Sequence, residues 1–178
     1  MLLDSLYNTL LRPSEAPVAP PLRVAWGIWF ILSLLEAMRF AGALSLGPAG
    51  LLGLLVLVFF LNVLGWFWLS ASSNLLAEML GGKGSAQPTL GAIAQAFWPL
   101  ILLAPLGAAA PWLGLLAPLL TFAVYLWAYL GVVRAISRAH ELSTGRSVLV
   151  LLGSGAAVGL GLLALLLTPV LALISPLA

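Results

Sequence analysis

From residue 22 onward apolar residues run almost without interruption, broken at a few places by short polar or glycine- and proline-bearing clusters. Runs of 18 or more apolar residues with few charges mark membrane-spanning helices. The breaks leave five such runs, at about residues 22–46, 49–80, 89–109, 112–137 and 147–174. A lipid-facing barrel would instead need short strands of alternating polarity. The pattern therefore predicts an all-α, polytopic membrane protein, a bundle of five transmembrane helices. Ahead of them lies a leader, residues 1–21. In it Leu3, Leu6, Tyr7 and Leu10 share one helical face, and Asp4, Ser5, Asn8 and Thr9 fill the other. That spacing predicts a short amphipathic helix lying on the membrane surface and ended by Arg12 and Pro13.

Within the spans, Arg23, Trp26 and Trp29 are expected to anchor the start of the first at the interface. The second holds some thirty residues, roughly 48 Å at 1.5 Å per residue, against a hydrocarbon core of ~30 Å. Its last third carries Ser70, Ser72, Ser73, Asn74 and Glu78, so that end is expected to leave the membrane. Pro99 and Pro105 predict a kink or break in the third span, and Pro111 a very short turn after it. In the fifth, Gly155 and Gly159 form a small-residue pair expected to pack against another helix of the same chain.

Composition sharpens the class. Of 178 residues 63% are hydrophobic and 7% charged, whereas a soluble domain has about 25% charged residues. The basic balance would suggest nucleic acid in a soluble protein, but here the cations follow the topology. Arg12, Arg23, Lys83, Arg134, Arg138 and Arg146 fall with the leader, the loop at 81–88 and the turn at 138–146, all on one side of a five-span chain. Only Arg39 lies toward the other side. The positive-inside rule then predicts a cytosolic N-terminus and an external C-terminus. Without cysteine and with a single histidine, neither a thiolate site nor a histidine cluster is available, so no metal or cofactor is expected.

The loop Gly81-Gly82-Lys83-Gly84-Ser85 looks at first like a phosphate loop. The spacing excludes it: Ala77 and Gly84 stand where the motif needs a glycine and a Ser or Thr. It reads instead as a helix C-cap with Gly81 or Gly82 left-handed. The binding candidates lie elsewhere. On the second span Asn62, Trp66, Ser70, Ser73, Asn74 and Glu78 recur at helical spacing, as do Thr121, Tyr125, Tyr129, Ser137 and Glu141 on and after the fourth. Such stripes either hydrogen-bond between helices or line a polar groove. Glu36 and Arg39, three residues apart, are placed to form an intramembrane ion pair. His140 is read as a solvated side chain of the turn. No Ser/His/Asp constellation or carboxylate pair suggests an enzyme.

The leader ending in Leu-Arg-Pro, the Leu80-Gly81-Gly82-Lys83-Gly84-Ser85 loop followed by Pro99, and the His140-Glu141-Leu142-Ser143-Thr144-Gly145 turn together resemble the YIP domain family, Rab/Ypt-interacting membrane proteins, in a short prokaryotic form. The resemblance covers nearly the whole chain. It implies five membrane helices, a cytosolic N-terminus and a role in membrane organisation, here in a bacterial inner membrane. The leader lacks the Asp-Leu-Tyr-Gly-Pro element of eukaryotic members, so binding of Rab-type GTPases is not among the expectations. The expected partners are membrane lipids, other membrane proteins or further copies of the chain, and no nucleic acid. Two functions fit: a non-enzymatic scaffold using the leader, the Lys83 loop and the 138–146 turn, or a small carrier or lipid-handling protein using the polar stripes. An insertion or assembly factor is a third option that the residues do not separate from the scaffold.

Overall fold

The computed structural model describes residues 22–174, with side chains continuous to Gly161 and, beyond it, at Leu163 and Leu167; the expected amphipathic helix of the leader lies outside the described residues. The elements are α1 (Leu22–Ala43), α2 (Pro48–Met79), α3 (Ala86–Ala96), a 3-10 turn (Trp98–Leu102), α4 (Leu103–Leu113), α5 (Leu116–His140) and α6 (Thr144–Ile174). By length and composition they make five candidate spans, the third combining α3, the 3-10 turn and α4. All five are helical, and no strand occurs among the described residues.

The breaks have local causes. Pro48 opens α2 at its first turn, where the missing N–H is not needed, and Gly47 precedes it as the extended N-cap. The third span breaks at Pro99, as its sequence predicts, and the backbone passes through the 3-10 turn before resuming as α4. Pro105 sits in the first turn of α4 and is tolerated there. Pro111 does not close that helix. It lies inside α4, and the chain turns at Gly114, where φ is 52°. A left-handed residue without a Cβ reverses the backbone at lower cost than a proline that still has helical φ.

α2 is the hub, packed on α1, α3 and α6, while α3 also lies against α5. The buried centre combines Ile28 and Trp29 of α1, Trp66 of α2, Ile93 of α3, Ile136 of α5 and Val150 of α6. Aromatic rings tie the first three together: Trp26 and Trp66 meet edge-on at 5.7 Å, and Trp29 lies 5.3 Å from Phe97. Trp29 is thus a core residue and not an interface anchor, because its ring fills the α1–α3 gap. The outer faces carry Phe60, Leu52, Leu119 and Trp112. Only 6% of the most apolar window of α2 is buried in the protein, a surface that hydrocarbon, not water, must cover.

In lipid no hydrophobic force drives helix against helix, so small residues and hydrogen bonds decide the contacts. Gly155 and Gly159 do not serve here: among the described residues, an added Cβ at either would meet no atom within 4 Å. The close approach of α6 to α2 is made by Gly153 and Gly161. A Cβ there would stand 2.9 Å from Leu76 Cδ1 and 2.5 Å from Trp68 Cζ2 respectively.

Candidate functional site

The polar stripe of α2 faces into the bundle except at Glu78, which is exposed. Asn62 Nδ2 donates to Ser33 Oγ at 3.1 Å and to Glu36 Oε2 at 2.8 Å, joining α2 to α1. One turn on, the buried indole of Trp66 donates from Nε1 to the Leu90 carbonyl oxygen at 3.0 Å. Ser73 Oγ donates to Ser154 Oγ at 3.0 Å, joining α2 to α6. Asn74 Nδ2 donates to Glu78 Oε1 at 2.6 Å along the same helix. Ser70 Oγ and Asn74 Oδ1 are buried without a partner among the described residues. The stripe therefore ties three neighbouring helices together.

The stripe of α5 is turned the other way. Tyr125 and Tyr129 are exposed, and the buried face of α5 is Val124, Ala128, Val132 and Ile136. The two sets of candidates do not meet. Nor is the open crevice beside α5 polar: its volume is about 530 Å³, and it is lined by Leu102, Pro105, Leu106, Leu120, Val124 and Trp127.

Glu36 and Arg39 form no ion pair, contrary to their spacing. The Glu36 carboxylate is held by Asn62 across the helix contact instead, and both side chains stay exposed. An amide already fixed by a buried serine competes with a long arginine that would lose rotamer freedom on pairing.

The polar end of the bundle has a defined structure that the sequence only half announces. Gly81 takes φ 87°. Its N–H bonds to Glu78 O at 3.0 Å and that of Gly82 to Ala77 O at 2.8 Å, the two bonds of a Schellman cap. From there the loop lies on the end of α5. Lys83 N–H donates to His140 O at 3.1 Å, while the Lys83 side chain is exposed. Arg146 Nη1 closes the other flank, donating to Leu80 O at 3.2 Å.

His140 lies beneath this loop, fully buried and not solvated. Its Nε2 is 2.8 Å from Thr89 Oγ1, and its Nδ1 has no partner among the described residues. Glycine is required above it because the backbone passes so close. A Cβ at Gly84 would collide with the Ala139 carbonyl oxygen and come within 2.6 Å of His140 Nδ1; one at Gly82 would stand 2.9 Å from His140 Cβ. His140 belongs to the polar turn beyond the apolar part of its span. Burial pushes its imidazole below the ordinary pKa, against the opposing pull of the Glu78 charge. This junction of Thr89 and His140 escapes a reading by polarity, since Arg138 and Glu141 beside it suggest a solvated turn; the Gly-Lys-Gly spacing was the available signal. Among the described residues no group of three His, Asp or Glu side chains could hold a metal ion.

No curated protein and no solved structure matches the chain at a significant level. A family model does: that of the Yip1 domain, over residues 8–166. With five apolar helices of spanning length and the glycine loop seated on the 138–146 turn, the chain is an integral, multi-pass membrane protein belonging to the Yip1 domain family.

Proposed function

We propose that this protein is a non-enzymatic membrane-organising scaffold whose contact face is the polar end built by the 81–85 loop and the 138–146 turn. The observation that carries the reading is the fate of the α2 stripe. Asn62, Trp66 and Ser73 are consumed in contacts between helices, while Tyr125 and Tyr129 look outward. Paired donors and acceptors of this kind hold helices together and leave little for a solute to bind. A carrier working through a groove between the two stripes is correspondingly less supported.

The polar end suits a docking role. Its backbone is pinned from three sides, by the Schellman cap, by Lys83 on His140 and by Arg146 on Leu80. Little ordering entropy is then lost when a partner binds. Lys83, Arg134, Arg138 and Arg146 are exposed at this end, and positive charge so gathered supports a cytosolic position under the positive-inside rule. Partners are other membrane proteins or further copies of the chain.

The reading is tested with a photo-crosslinking residue in place of Lys83 in native membranes. Protein adducts at that position are expected. Capture of lipid alone, or of nothing, would count against a scaffold.

A further inference from the structure

We propose that the lipid-facing side of α1 carries a headgroup site, formed by Glu36 and Arg39, for a phospholipid with a primary amine of the phosphatidylethanolamine type. The proposal is independent of the scaffold reading and rests on how the two charges are left. Residues three apart on a helix share a face, with Cβ atoms about 5–6 Å apart. Both are exposed on a face that lipid covers, yet they do not neutralise each other. The carboxylate is oriented from behind by Asn62, itself anchored on the fully buried Ser33. Its Oε1 accepts no hydrogen bond among the described residues, and Arg39 there makes no ion pair.

Arg39 is four residues from the end of α1 at Ala43, about 6 Å at 1.5 Å per residue, and Glu36 lies one turn deeper, so a headgroup that meets both is drawn in along α1 from the membrane surface. An unpaired cation and an unpaired anion at this depth are costly unless a ligand supplies both complements. A phosphatidylethanolamine headgroup does so. Its phosphate meets the guanidinium as a bidentate acceptor, and its ammonium, two carbons away, donates to Glu36. An anionic phosphatidylglycerol meets Arg39 with its phosphate but offers Glu36 only neutral hydroxyl donors, which make weaker bonds to a carboxylate than an ammonium does. Phosphatidylcholine has the right charges, but its quaternary nitrogen has no N–H to donate.

The test uses the full chain in mild detergent with added phosphatidylethanolamine, phosphatidylcholine or phosphatidylglycerol of identical acyl chains, bound lipid being counted by native mass spectrometry. Phosphatidylethanolamine should be retained roughly tenfold over the other two, the scale of one charge-assisted hydrogen bond. Glu36→Gln keeps an oxygen for Asn62 and so keeps the fold, and should bring phosphatidylethanolamine down to the phosphatidylcholine level. Arg39→Gln should lower retention of all three. Equal retention by the native chain, a preference for phosphatidylglycerol, or a phosphatidylethanolamine preference that survives Glu36→Gln would each overturn the proposal.

Discussion

Thr89 Oγ1 and His140 Nε2 stand 2.8 Å apart, both side chains fully buried, where the first turn of α3 meets the last of α5. Thr89 Oγ1 also donates to the Ser85 carbonyl oxygen at 2.8 Å. With its one hydrogen committed there, the hydroxyl is left to accept from the imidazole, which places the proton on Nε2. Nδ1 is then the bare nitrogen that points toward Gly84.

Gly84→Ala should be among the most damaging single-methyl additions in the protein. The methyl group has no room against the Ala139 carbonyl and the imidazole, and overpacking of this kind costs about 1–3 kcal/mol or more. Gly155→Ala is the matched control, with no described residue near the added methyl group and an expected effect within about 0.5 kcal/mol. Thermal unfolding of both variants in detergent compares them; equal midpoints would dismiss the tight fit.

Acid should loosen the polar end. His140 is held neutral in the folded protein by burial, with a pKa below its ordinary value, whereas in the unfolded chain it titrates near 6.5. Below that value the unfolded state binds the extra proton, so stability is lost as pH falls from about 6.5 toward the folded pKa. The unfolding midpoint is expected to drop between about pH 7 and 5, and His140→Gln to flatten that slope. A slope unchanged by the substitution would point to other groups.

Asn62→Leu removes the two bonds that join α2 to Ser33 and Glu36. Hydrogen bonds between membrane helices average about 0.6 kcal/mol with a maximum near 1.7. A loss of about 1 kcal/mol is therefore expected in a denaturant titration in micelles.

Ser73 and Ser154 can be separated from their surroundings by a double-mutant cycle. Each serine replaced alone by Ala leaves the other hydroxyl buried and unpaired, while the double variant removes both. The coupling should be about 0.6 kcal/mol, and the double variant less destabilised than the two single losses added together. Additive losses would mean that the bond contributes nothing.

The five spans were legible because an apolar run of 18 or more residues has one physical outcome in a bilayer. Side-chain partners were not, and the reason differs from case to case. Glu36 and Arg39 satisfied a local spacing rule, but the rule cannot see Asn62, 26 residues further along the chain. The stripe on α5 was read by polarity, whereas packing in lipid follows residue size. Gly131 lies against Ala96, so close that an added Cβ would be 3.3 Å from the Ala96 carbonyl oxygen, and this contact turns Tyr125 and Tyr129 outward. At the candidate contact face, Lys83 stands out in the sequence by its charge, and its side chain is exposed. His140 was missed because a residue between Arg138 and Glu141 looks solvated until Glu141 takes its left-handed φ of 55° and the glycine loop covers the ring.

The span of the polar contacts along α2 sets an order of assembly during synthesis. Asn62 finds its partners on the helix made just before it, 26 and 29 residues back. α1 and α2 can therefore leave the ribosome and enter the membrane as a hairpin already joined at that point. Ser73 must wait 81 residues for Ser154, and Lys83 must wait for His140. Until α5 and α6 have been inserted, Ser73, Lys83 and the Leu80 carbonyl lack the partners that the finished bundle gives them. α6 is thus the helix that completes the end of α2, and with it the proposed contact face.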